Sequence, residues 1–219
     1  MLAQPAVLRG AGIAAVISTL LCTPRLLLWP KPPYPLWFFE WLLLLGGAVL
    51  WAFVFAWYPQ YTGRPAMTLR LKPGAFWAAT LSGVTLALGL HWLADPAWRK
   101  ALPGDFPQNV KQWGAALLFR LGFTELFLVF APFSWLLRLS RGSTLAVPLT
   151  VAFGAFVMLA RDRQVGGALP PHVLAELLAY RMVESLVSVY FFVRGGAVAV
   201  WWWCGLLQSR FLLTLAQGG

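Results

Sequence analysis

Residues 35–58, PLWFFEWLLLLGGAVLWAFVFAWY, decide the fold. A helix rising 1.5 Å per residue crosses a hydrocarbon core of ~30 Å in about 20 apolar residues. This stretch is long enough and contains a single ionisable side chain, Glu40, one turn inside its start, where it can reach the interface. Trp and Tyr lie at both ends, as expected of the aromatic belts at a membrane boundary. Working outward, residues 6–22 form a marginal first span, extended by Leu26 to Trp29 beyond a break at Pro24. Residues 75–94 form a third span. Residues 110–137 are long enough for a tilted or kinked span, with Pro132 near the far end, and 143–160 form a short fifth interrupted by Pro148. Residues 173–193 and 196–217 close the series, with Gly195-Gly196 a turn or close-packing position between them. The sequence predicts an all-α polytopic integral membrane helical bundle of about seven transmembrane helices, within a range of six to eight, forming one domain over 1–219.

Composition excludes the other classes. The chain is 60% hydrophobic and 11% charged, against roughly 45–50% and about 25% in soluble domains. A soluble sphere could not hold 13 Trp and 16 Phe without large apolar patches. Hydrophobicity this high excludes disorder, and two cysteines make no disulfide framework. The net charge of +10 comes from basic residues that punctuate the gaps between apolar runs, so the expected partner is the lipid bilayer and not nucleic acid. The expected location is integral to a membrane, the prokaryotic inner (plasma) membrane. The N-terminus does not read as a cleavable signal. Lys and Arg divide almost evenly between the two faces, so charge bias gives no orientation. No pair of matching broken helices marks the inverted repeat of a secondary transporter.

Ionisable groups inside spans carry the functional information, because central placement costs ~2.5–3.5 kcal/mol on insertion scales. Arg120 and Glu125 fall midway along 110–137. On an unbroken α-helix a spacing of five leaves them about 140° apart, so each is expected to find its partner on a neighbouring helix or to line a polar cavity. Arg181 and Glu184, at i,i+3, share a face and can pair. The expectation is an intramembrane polar cluster, Glu125 and Arg120 from one helix with Arg181 and Glu184 from another. His172 and Glu176, at i,i+4, are a weak metal pair at a helix start after Pro170-Pro171. His91 sits near a helix end, and Cys204 lies in an apolar run after Trp201–Trp203.

From about residue 110 to 211 the order of features resembles the CPBP family of intramembrane proteases (CAAX-protease and bacteriocin-processing, or abortive-infection, type). That family carries E-E-x-x-x-R on one helix, then F-x-x-x-H, then H-x-x-x-N or H-x-x-x-D. Here Phe123-Thr124-Glu125-Leu126-Phe127-Leu128-Val129 stands at the first motif, with Glu125 at the second glutamate, Thr124 at the first and Val129 at the arginine. Counting from Phe153 or Phe156, the histidine position holds Val157 or Ala160. The closing H-x-x-x-N position reads Cys204-Gly-Leu-Leu-Gln208. The resemblance implies Glu125 as a general base on water, with Arg120, Arg181, Glu184, Cys204 and Gln208 as supporting polar groups, and zinc as cofactor only if the protease is active.

Both motif histidines are missing. The favoured expectation is therefore a non-catalytic relative or membrane-complex subunit, in contact with other membrane chains and with its polar groups paired internally and no cavity. An active endopeptidase would act on a membrane-tethered peptide and show a water-accessible cavity at Glu125. A third reading is a pigment- or haem-binding subunit with His91 as axial ligand.

Overall fold

Residues 2–29, 33–68, 71–164 and 169–217 are described by a computed structural model. Six segments are long and apolar enough to cross a membrane, and the fold is an all-α polytopic bundle. Helices α1 (Pro5–Leu27) and α2 (Leu36–Thr62) pair antiparallel. Ala15 packs on Gly47, and Trp51 Nε1 donates to Ser18 Oγ at 2.9 Å. Small residues let the two backbones approach, as membrane helices do in place of a hydrophobic drive. Helix α3 (Pro73–Leu93) is followed by the short α4 (Asp95–Ala101) and a 3₁₀ turn at Pro103–Asp105.

The next segment, Val110–Ser140, is not one α-helix. It consists of α5 (Val110–Phe119), two π-helical stretches at Arg120–Thr124 and Leu126–Phe130, and α6 (Ala131–Ser140). Pro132 has no N–H for the Leu128 carbonyl, which favours widened turns just before it. Gly122 lets the first π stretch rest on α1, where a Cβ would come within 2.9 Å of the Ser18 carbonyl oxygen. Helix α7 (Ser143–Gln164) follows.

The last segment, Pro171–Ala216, has 46 residues, more than twice what one crossing needs. It contains α8 (Pro171–Gln208) and α9 (Arg210–Gln217). Gly196, at φ 69° and ψ −170°, reverses the chain inside α8. The two legs run antiparallel: Phe191 meets Trp203 with ring centroids 6.1 Å apart, and Arg210 lies over Tyr180 at 5.9 Å. Six segments thus make seven crossings, as the sequence predicts. Only glycine readily adopts this backbone conformation, and a Cβ on Gly196 would stand 2.8 Å from the Ala66 carbonyl oxygen. That carbonyl accepts the Ala197 N–H at 2.9 Å.

Side-chain contacts fix the alternation of the loops. At one end Arg64 Nη1 donates to the Val193 carbonyl at 2.6 Å, and Arg138 covers Trp57. At the other end Arg161 pairs with Asp105, and Phe106 packs on Phe211. The α8 hairpin is the most buried segment of the bundle, with Phe192 and Trp203 fully enclosed. The outer faces of α2 and α3 carry exposed Trp37, Trp41, Leu45 and Leu81.

Two expected breaks are absent. Pro24 and Pro148 both lie inside continuous helices, α1 and α7. Each sits within about a turn of a helix end, and transmembrane helices tolerate proline because neighbouring groups re-satisfy the freed backbone.

Candidate functional site

The polar cluster assembles at the π-helical stretch. Glu125, fully buried, donates its backbone N–H to the Arg120 carbonyl, an i→i+5 bond. The wider turn brings residues five apart onto one side, so Arg120 Nε reaches Glu125 Oε1 at 3.1 Å. This corrects the expectation that the two are poor partners: that geometry assumed an α-helix, and the helix here is π. Arg120 Nη2 also contacts Glu184 Oε1, on the first leg of α8. Glu184 Oε2 accepts from Arg181 Nη1 at 2.5 Å, and Oε1 accepts from the Tyr180 hydroxyl at 2.6 Å. Two arginines and two carboxylates therefore share one buried network, with Arg120 bridging both acids. Arg120 and Arg181 balance Glu125 and Glu184, the condition under which charges persist away from water.

The network is incompletely satisfied. Glu125 Oε2, Arg181 Nε and Nη2, and the Ser185 and Ser188 hydroxyls are buried without a hydrogen-bond partner. Gly154 of α7 lies against Arg181 and Ser185, where a Cβ would come within 2.7 Å of Ser185 Oγ and 3.3 Å of Arg181 Nε. Cys204, on the second leg of α8, lies beside Glu125 and Arg120.

A cavity of about 350 Å³ adjoins the cluster, bounded by the first π stretch, α7 and both legs of the hairpin. Arg120, Arg181, Glu184 and Gln208 line it, while Glu125 lies behind them. Of the six site residues expected from the sequence, Glu125, Arg120, Arg181 and Glu184 form the network and Cys204 abuts it. Gln208 meets only the cavity, its carbonyl accepting from Trp113 Nε1 at 3.0 Å. Internal pairing and a cavity coexist, although the sequence argument set them as alternatives.

One residue, Tyr180, and two ion pairs escaped the sequence. Tyr180 had a local signal, since i,i+4 places its hydroxyl on Glu184. Asp95 and Arg210 form a second buried ion pair at 3.1 Å across 115 residues, with no local signal. Asp105 and Arg161 pair in the cavity lining, 38% and 50% exposed.

The donor set does not fit zinc, which takes at least three protein ligands. Val157 or Ala160 and Cys204 stand at the histidine positions, Glu125 is held by Arg120, and no three His, Cys, Asp or Glu gather among the described residues. His172 and Glu176 are exposed, and Glu176 accepts from Trp98 Nε1 at 3.2 Å. His91 Nδ1 meets Thr214 Oγ1 at 3.4 Å beside a cleft of about 210 Å³. That is below the roughly 300 Å³ at which small-molecule pockets begin, too small for a tetrapyrrole.

Comparison with family models, with curated proteins and with solved structures finds no match. The chain is an integral membrane helical bundle with a buried arginine–carboxylate network beside a cavity.

Proposed function

We propose that the chain is a non-catalytic relative of the CPBP intramembrane proteases and serves as a subunit of a membrane complex, in a prokaryotic inner membrane. The observation that carries the reading is the hold of Arg120 on Glu125. A general base needs a lone pair presented to water, yet one carboxylate oxygen of Glu125 is bonded to arginine and the other is sealed from the cavity. Kinship is supported by the positions that resemble the family's motifs: Cys204 lies beside Glu125, and Val157 and Gln208 line the same cavity. The subunit role is supported by exposed aromatic anchors, Trp37, Trp41 and Trp92 among them. The neighbouring cavity favours a second reading, an active endopeptidase with Glu125 as base.

One experiment separates them. The purified chain is reconstituted in liposomes with a fluorogenic membrane-tethered peptide. The expected result is no cleavage above the empty-liposome rate, and a stable partner after mild detergent extraction from native membranes. Cleavage that Glu125→Gln abolishes would overturn the proposal and establish the second reading.

A further inference from the structure

The cavity beside the network has the construction of a ligand site, and we propose that it binds an amphiphilic oxyanion, a carboxylate or phosphate monoester on a short apolar tail, head first. The proposal stands on the cavity alone and does not depend on kinship with any protease. Its floor is charged. Arg181, 8% exposed, gives only Nη1 to Glu184. Its Nε and Nη2, the adjacent donors that grip an oxyanion bidentately, have no partner. Both donors are buried against Gly154 of α7, where an added Cβ would come within 3.3 Å of Nε, and Gly154 and Arg181 both line the cavity.

The lining itself carries more guanidiniums than carboxylates. Four guanidiniums, Arg120, Arg161, Arg181 and Arg210, face the space with two carboxylates, Asp105 and Glu184. Glu125 and Asp95, which balance the other two arginines, are 0% and 2% exposed and do not line it. Above the floor the walls turn apolar. Along α7 the lining passes from Gly154 through Val157 and Met158 to Arg161, and along α8 from Glu184 and Arg181 out to Leu177. An apolar neck over a cationic floor takes an amphiphile by its head. The volume, about 350 Å³, is at the small end of ligand pockets, which fits a tail of moderate length. The exposed Arg161–Asp105 pair also lies in the lining, a kind of contact that opens readily. On occupation the Arg181 guanidinium turns its free edge from Gly154 to the ligand while Nη1 keeps Glu184.

The test is calorimetric titration of the detergent-solubilised full chain with octanoate, octyl phosphate, octanol and inorganic phosphate. Saturable binding of one octanoate or one octyl phosphate per chain is expected. Tighter binding of octanoate identifies a carboxylate ligand, and tighter binding of octyl phosphate a phosphate headgroup. Arg181→Lys, which keeps the charge and loses the bidentate edge, should weaken binding roughly tenfold. Met158→Trp narrows the neck without touching a charge and should weaken it to a similar degree. Octanol binding as tightly as octanoate, inorganic phosphate binding as tightly as octyl phosphate, or both variants binding within about twofold of the parent would each overturn the proposal.

Discussion

Arg120 and Glu125 are joined at 3.1 Å across five residues because the helix between them is wound as π and not α. The bond belongs to a network in which Arg120 serves two acids, so its loss should cost more than the loss of Glu125, which Arg120 holds. Arg120→Gln leaves Glu125 and Glu184 with Arg181 alone, and about 3–5 kcal/mol of destabilisation is expected. Glu125→Gln leaves Arg120 on Glu184 and should cost clearly less. The double variant should show coupling of roughly 0.5–3 kcal/mol. Unfolding titrations in mixed micelles measure all three, and simple additivity would mean that the two side chains do not interact.

Gly196 makes the seventh crossing possible. With φ at 69° and the Ala66 carbonyl 2.8 Å from any added Cβ, Gly196→Ala should cost at least ~1–3 kcal/mol in backbone strain. Gly205, on the same hairpin with nothing within 4 Å of its Cβ position, is the control. There alanine should leave stability unchanged or raise it by about 0.5–1 kcal/mol. Equal melting temperatures for the two variants would show that the chain does not reverse at Gly196.

Hydropathy made the crossings legible. Residues 35–58 became α2 and 75–94 became α3 with shifts of a few residues at the ends, because lipid imposes a length that apolar runs must meet. The Gly195-Gly196 turn was legible for the same reason: 46 residues cannot cross once. Turn width was not legible. The change from α to π around Glu125 leaves the apolar run unbroken, and its only traces are Gly122 and Pro132. The Asp95–Arg210 pair was hidden because its partners are brought together by the whole bundle. Tyr180 was in view at i,i+4 from Glu184, but a tyrosine in a membrane protein is ordinarily read as an interfacial anchor.

Seven alternating crossings place the loops on defined sides. Arg64 touches the carbonyl of Val193, so Arg64→Cys and Arg194→Cys should react with a membrane-impermeant maleimide from the same side of sealed vesicles. Lys100→Cys and Arg161→Cys should react only from the opposite side. The native Cys22 and Cys204 are buried and should stay silent. Labelling of positions 64 and 194 from opposite sides would remove one crossing between them and with it the hairpin.

Asp95 lies outside the spans and reports on pH. Burial lifts its carboxyl above the ordinary value of 3.8, outweighing the attraction of Arg210 and the smaller pulls of His91 and Arg99. The folded chain therefore holds this proton more tightly than the unfolded chain does. Its contribution to stability is fullest below pH 3.8, declines as pH rises through that value, and levels off above the raised one. Asp95→Asn cannot titrate, so the parent's melting temperature minus the variant's should fall as pH rises above the ordinary carboxyl value of 3.8. Melts of both proteins in the same detergent supply the slope. A difference that grows with pH would mean that the arginine, and not burial, sets the carboxyl, and that the Asp95–Arg210 contact holds the bundle end as an ion pair in its own right.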